Sequence, residues 1–342
     1  MFEIQLSAAD LTQVDEVLDA LTGDLGSVED TDFQRAAAVH AHRLPENLRR
    51  RLNHFRLTEA SGACVIRGFP VAAERIGPTP EHWSERPAVS PALREEVFFY
   101  LCAQLLGDPV AWATEQNGFV MHDILPVRGH EQEHIDSGSE VLLTWHTEVA
   151  FHPFRADYVA LMCLRNPDAV ETTFADLDDL DIPEADLRIL FEDRFVIRPD
   201  EIHLDPGRSS VNRAPEELSA LIEESYQWVR AMDENPVPGP LLFGNRRRPY
   251  LCIDPYSMDE PQDDDAKTAF KNLCAEIERN IQPLALSPGD IVFIDNFRSV
   301  HGRRPFKARF DGTDRWLKRL NIARDLRKSS RTRLTADSRV IY

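Results

Sequence analysis

The stretch HEQEHIDSGSEVLLTWHTEVAFHP, residues 130–153, offers two metal-binding patterns sixteen residues apart. HEQEH, residues 130–134, fits the H-E-x-x-H pattern of zinc hydrolases. That site needs a helix, because only a four-residue step puts both histidines on one face with the glutamate beside them. The surrounding segment is PVRGHEQEHIDSGSE, with Gly129 before the motif, Ser137, Gly138 and Ser139 after it, and almost nothing apolar between. A helix so short and so polar is marginal, so the segment reads as a polar loop or lid. EVLLTWHTEVAF has the composition of a strand, and residues two apart on a strand share a face. His146 and Glu148 then converge with no special backbone. If HTE is the site, the fold is built on strands.

A site on strands needs a third ligand from elsewhere, and His301 in LSPGDIVFIDNFRSVHGRRPF is the candidate. SPGD is turn chemistry and IVFID an apolar strand run, which delivers His301 beside Gly302 at the far end. In the following DRWLKRLNIA, Arg315, Leu317, Arg319 and Asn321 alternate with Trp316, Lys318, Leu320 and Ile322. Two arginines thus share one strand face, and a buried arginine needs an anion. A dicarboxylate held by the guanidinium fork meets that need; so does a salt bridge to one of the chain's many acids. Two histidines and one carboxylate on one face of an octahedral metal are the ligand set of non-haem Fe(II) oxygenases, with three positions left open.

The rest of the chain accords with a soluble protein built mainly of β-strands. Its 342 residues are 42% hydrophobic and 28% charged, enough to bury a core. The 39 basic and 58 acidic residues leave a formal charge of −19, which argues against nucleic acid or an anionic membrane as partner. Five cysteines without a C-x-x-C pair point to reduced thiols. The acidic N-terminus lacks the basic region of a signal peptide and no apolar run reaches membrane length, so a cytoplasmic location is expected. Helical periodicity marks SAADLTQVDEVLDALTG, DTDFQRAAAVHAHRL, PENLRRRLNHFRL and SPALREEVFFYLCAQLLGDP, the last with Ser90 as the expected cap. Short β-type runs follow (DYVALMCL, RFVIRP, PYLCIDP, DIVFIDN, RWLKRLNIA), interrupted by helical patterns at 215–232 and 264–281. An antiparallel sandwich or barrel with helices outside is the expected architecture. We expect one domain over 1–342: a mostly helical portion at 1–110, the β core at 111–325 with a lid around 126–140, and a surface tail at 326–342.

LLTWHTEVAFHPFRADYVALMCLRNPD, LSPGDIVFIDNFRSVHGR and FDGTDRWLKRLNI together resemble the clavaminate synthase-like Fe(II)/2-oxoglutarate oxygenases, closest to hydroxylases of free arginine, lysine or asparagine. The likeness runs from about Cys64 to Arg324. It implies a double-stranded β-helix (jelly-roll) core with His146, Glu148 and His301 as iron ligands. Arg315 matches the anchor for the distal carboxylate of 2-oxoglutarate. A hydroxyl contact to that co-substrate falls on Thr172 or Thr173, of which Thr173 is our choice. Arg319 matches the arginine that meets the substrate α-carboxylate, Gln116 a substrate-contacting glutamine, and Asp200 an acid that receives the α-amine.

Three positions depart from the pattern. Val149 stands where many relatives have Asp, and Ile202 where several have Ser. In LCIDPYSMD, Asp254 is followed two residues on by Tyr256, not by the second acid with which arginine hydroxylases clamp the guanidinium. A single acid suits an ammonium, which moves lysine slightly ahead of arginine. The implied reaction uses 2-oxoglutarate and O₂ to hydroxylate carbon 3 or 4 of a free basic amino acid, with the iron centre as the only catalytic group. The alternatives are another free or carrier-bound amino acid, a zinc hydrolase on His130 and His134, and a jelly-roll binding protein without turnover.

Overall fold

The computed structural model describes residues 1–206 and 216–342. Two sheets face each other. In the larger, β1 (Phe2–Gln5), β2 (Ala63–Arg67), β11 (Ile291–Asp295), β6 (Tyr158–Arg165), β13 (Trp316–Ala323), β3 (Asp108–Trp112) and β14 (Val340–Ile341) lie side by side in that order, and β4 (His122–Ile124) also pairs with β13. The smaller runs β10 (Gln282–Ala285), β7 (Glu171–Asp176), β12 (Ser299–Arg303), β5 (Leu143–His146). A separate hairpin joins β8 (Leu242–Asn245) to β9 (Arg248–Leu251). This is the expected jelly roll.

The pleat sorts side chains into two environments. Val65, Leu161, Val292 and Leu317 of the large sheet meet Phe174 and Leu284 of the small sheet in the space between. Ile66, Met162, Phe293 and Leu320 point the other way, into the N-terminal helices. Covered on both faces, these strands read as continuous apolar runs in the sequence. On β13 the odd-numbered residues face inward, so Arg315, just before the strand, and Arg319 share the enclosed side. Lys318 faces outward, buried against Glu96 at 2.8 Å and Asp123 at 2.6 Å. The outer face of the small sheet is closed by the helix Asp264–Arg279, whose Ala269 and Leu273 pack on Trp145, Ala175 and Val300.

Helices form at Ala8–Thr22, Thr31–Ala41, Glu46–Thr58 and Leu93–Gln104, as the periodicity predicts. Ser7 and Asp10 make a reciprocal capping box on the first, and Asp30 caps the second through the Phe33 N–H. Ser90 is not the cap of the fourth: it lies two residues before the cap position, Ala92, and its hydroxyl donates to Glu96 at 2.8 Å. The helix predicted at 215–232 forms over Glu216–Glu234; Pro215 lies outside the described residues. RFVIRP makes only isolated bridges through Phe195 and Ile197.

The portion 1–110 is mostly helical and also supplies β1, β2 and most of β3 to the large sheet. The tail at 326–342 folds onto the body: β14 pairs in parallel with β3, Ile341 is buried, and Arg333 donates to the carbonyls of Leu326, Thr335, Ala336 and Ser338. A two-residue strand held largely by an arginine leaves no hydrophobic run to read. Among the described residues, no helix is long and apolar enough to cross a membrane.

Candidate active site

His146 and His301 are direct cross-strand partners on antiparallel β5 and β12. That pairing brings the ring centroids to 4.7 Å. Glu148 Oε2 lies 3.6 Å from His146 Nε2 and 3.2 Å from His301 Nε2. Among the described residues this is the one group of three or more potential ligands whose donor atoms all lie within 4.8 Å of one another. The His146 Nδ1–H donates to the Thr144 carbonyl at 2.8 Å, which leaves Nε2 free to ligate. Burial opposes charge on Glu148, but Arg319 and the two imidazoles outweigh it and hold the carboxyl well below the usual range. Burial alone would lower His146; the Glu148 and Asp254 carboxylates raise it to about 9. Two nitrogens and one anionic oxygen turned to a single point, with open cavity beyond, suit a divalent iron.

Glu148 does not reach this point by strand alternation. β5 ends at His146, and Glu148 sits in a turn in which Val149 has φ +50°. A β-branched residue rarely enters that region, which Asp and Asn tolerate far better. The side chain of Asn296, fully buried, grips the turn: its Oδ1 accepts from Glu148 N at 2.7 Å, and its Nδ2 donates to the carbonyls of Glu148 and Ala156, each at 3.0 Å. Val149 packs beside Trp112 and Ala156. Asn296→Ala is therefore expected to weaken iron binding about 10- to 100-fold, the range for losing a partner outside the ligand set. Titration of the apo-protein with Fe(II) checks this, and unchanged affinity would show that the turn holds without Asn296.

The three ligands open into a cavity of about 570 Å³. Arg315 lines it, buried, with no carboxylate partner; its NH2 group reaches Thr172 Oγ1 at 3.3 Å and its Nε has no partner. Burial, with Arg303 close by, lowers its pKa to about 9. A buried guanidinium in that state suits the distal carboxylate of a dicarboxylic acid.

The chain matches the model of the taurine catabolism dioxygenase TauD, TfdA family over residues 43–321. It belongs to the TauD/TfdA family. It is 50% identical to an enduracididine beta-hydroxylase from Streptomyces hygroscopicus and 46% identical to an L-ornithine/L-arginine 3-hydroxylase from Catenulispora acidiphila, each over the full length of both chains. Its fold superposes with a TM-score of 0.93 and 42% identity, over all of both chains, on the non-heme iron oxygenase OrfP crystallised with Fe, succinate and (3S)-hydroxy-L-Arg. OrfP is also known with Fe and alpha-ketoglutaric acid. Iron and 2-oxoglutarate are thus the cofactors of this TauD/TfdA oxygenase, as expected. The preference for lysine finds no support, since the relatives at 50% and 46% are named for enduracididine, ornithine and arginine.

In this TauD/TfdA chain the remaining sequence candidates fall in different places. Arg319 lines the cavity, already paired with Glu115, with Glu148 Oε1 at 2.9 Å and with Asp136 Oδ2 at 3.6 Å. Asp200 and Asp254 line it from two separate loops. Thr173 does not line the cavity, and Thr172 does. Thr173 pairs with Gly302 on the outward side of β7, whereas Thr172 shares the inner side with Phe174. Gln116 is also misplaced. Its φ of +40° turns the side chain back onto the Asp123 backbone, where the amide donates to the carbonyl at 3.0 Å and accepts from the N–H at 3.1 Å. Its neighbour Glu115 lines the cavity instead.

HEQEH is not helical. The His130 ring bonds Ser137 Oγ at 2.9 Å, and His134 Nε2 accepts from Thr144 N at 2.9 Å, so the zinc-hydrolase reading fails on geometry. Arg303 pins this loop, donating to the carbonyls of Asp136, Gly138 and Val141. Sequence reasoning missed Glu115, Asp136 and Arg303. Only Arg303 carried a signal, since it lies two residues from His301 on a strand and so shares its face.

Proposed function

We propose that this oxygenase hydroxylates carbon 3 of a free L-amino acid with a guanidinium side chain, arginine or a close analogue. The observation that carries the reading is the pairing of Asp200 with Asp254, two acids on the wall of one cavity. Burial, followed by the nearby charge of Asp254, raises Asp200 to about 7. Ser257 donates to Asp200 Oδ1 at 2.9 Å, while Asp254 Oδ1 accepts from Tyr256 N at 3.1 Å. A half-buried and a buried acid that repel each other are stabilised by a cation with several donors, and guanidinium presents five N–H groups against three on an ammonium. The second acid that the Asp254–Tyr256 stretch lacks is supplied by Asp200, and this revises its assignment to the α-amine.

The zwitterionic head of the substrate has its own place. Arg319 is ringed by Glu115, Asp136 and Glu148, and Glu115 Oε2 and Asp136 Oδ2 are buried without hydrogen-bond partners. In this reading Arg319 takes the α-carboxylate and the surplus acid oxygens take the α-ammonium. A carrier-bound thioester has no carboxylate to offer Arg319, which favours a free amino acid. His146, Glu148 and His301 hold the iron, and Arg315 with Thr172 holds the far carboxylate of 2-oxoglutarate. When bound, iron with 2-oxoglutarate and O₂ supplies the oxidising power that converts C–H to C–OH. The residues supply position, anchoring head and side chain at opposite ends so that one carbon faces the metal. Carbon 3 is preferred over carbon 4 because the relatives at 50% and 46% identity are named as beta- and 3-hydroxylases.

Incubation with Fe(II), 2-oxoglutarate, air and separate free amino acids tests the reading by succinate release and a mass gain of one oxygen. Arginine is expected to exceed lysine in kcat/KM. Asp254→Asn is expected to cost arginine about 10- to 150-fold in kcat/KM, the value of a hydrogen bond to a charged group. The affinity for 2-oxoglutarate should hold. Lysine turnover above that of arginine, or indifference to Asp254→Asn, overturns the assignment.

A further inference from the structure

His134, the second histidine of the discarded zinc motif, joins two walls of the cavity. Its imidazole lies flat on the Tyr256 ring, with centroids 3.7 Å apart and planes within 11°. Its Nε2 accepts from Thr144 N at 2.9 Å, and the carbonyl of that same Thr144 receives the Nδ1–H of the iron ligand His146 at 2.8 Å. Tyr256 in turn belongs to the turn of Asp254, whose Oδ1 accepts the Tyr256 N–H at 3.1 Å. The loop that carries His134 is fastened at its base by Arg303 on Asp136, Gly138 and Val141, and by Phe306 N on the Ser139 carbonyl at 2.8 Å. Its arch, with His134 and Ile135, lines the cavity.

These contacts connect the covering loop and the neighbouring strand of His146 with the turn of Asp254, far along the chain. We propose that the His134–Tyr256 stack is a latch that holds the loop over the bound amino acid, and that it makes Tyr256 a positioning residue through the Asp254 turn. The coupling to substrate rests on the reading that Asp254 takes the side-chain cation; the latch itself does not. When that cation seats against Asp254, it steadies the turn that presents the Tyr256 ring, and the ring steadies the loop. Tyr256 thus has a use at the position where a second acid was sought. It offers His134 a flat, neutral face that the imidazole covers.

Two measurements test this on the full chain. The loop contains Glu131, Glu133 and Glu140, so cleavage by a glutamate-specific protease reports how tightly it is held, whatever the substrate. Tyr256→Ala and His134→Ala are expected to speed cleavage there by about tenfold, the upper end for loss of one aromatic pair, while Tyr256→Phe, which keeps the ring, stays near the wild-type rate. In steady-state assays, Tyr256→Ala should raise the KM for arginine by a similar factor with kcat changed far less. It should also release more succinate than hydroxylated product, with thermal midpoint and 2-oxoglutarate affinity unchanged. Wild-type cleavage rates in both alanine variants overturn the latch. Faster cleavage with unchanged KM and stoichiometry also overturns the proposal, because the stack would then only brace the loop. If the wild type turns over no basic amino acid, the substrate reading fails, and the protease result still decides the latch.

Discussion

His146→Ala is expected to lose iron binding and to lower hydroxylation by more than about 100-fold, since even loss of a partner outside the ligand set costs up to that much. The imidazole supplies one of three donor atoms, and among the described residues no histidine other than His301 joins it at that point. His130→Ala is the paired control. Its ring bonds only Ser137 in the resolved contacts, and a single neutral hydrogen bond is worth at most about tenfold. Metal content should be unchanged in that variant. Measuring bound iron and product formation in both variants decides between the two motifs of residues 130–153. Retained iron in His146→Ala would return HEQEH to consideration.

Arg315→Met should raise the 2-oxoglutarate concentration needed for half-maximal rate by about 30-fold to several thousandfold. That is the span of 2–5 kcal/mol seen when one partner of a buried charge pair is truncated. The side chain is enclosed and, among the described residues, pairs with no carboxylate, so its charge is available to a ligand. Arg315→Lys keeps the charge but loses the two-pronged fork, and should fall between wild type and methionine. The KM for the amino acid should move little in either variant. Parallel titrations of both substrates check this, and an effect confined to the amino acid would place Arg315 in the other subsite.

How much of this could be read in the chain depends on how local each feature is. The apolar runs IVFID and RWLKRLNI announced strands buried on both faces, and the alternation of Arg315 and Arg319 placed two guanidiniums on one enclosed side. The candidate metal ligands were legible because their chemistry is rare and two of them are near neighbours. Glu148 nonetheless does not converge by strand alternation. It lies in a turn past the strand end, held by Asn296, a residue 148 positions away. Thr172 and Thr173 are indistinguishable by composition, and only the register of β7 against β12 tells which faces inward. Glu115 displaced Gln116 through a positive φ at Gln116 that no side-chain pattern announces.

Residue chemistry and the strand period of two act within a few positions, so the amino-acid order by itself determined the strand fold, the candidate iron-binding set and the arginine proposed for the co-substrate. The subsites form across long loops, where closure costs little more for fifty residues than for twenty and so leaves no mark on spacing. Asp200 meets Asp254, Arg319 gathers Glu115 and Asp136, and His134 lies on Tyr256 only because the sheets bring those loops to one cavity. The neighbourhood of Asp200 and Asp254, 54 residues apart in the chain, exists only in the tertiary structure, and the proposed preference for guanidinium over ammonium rests on it.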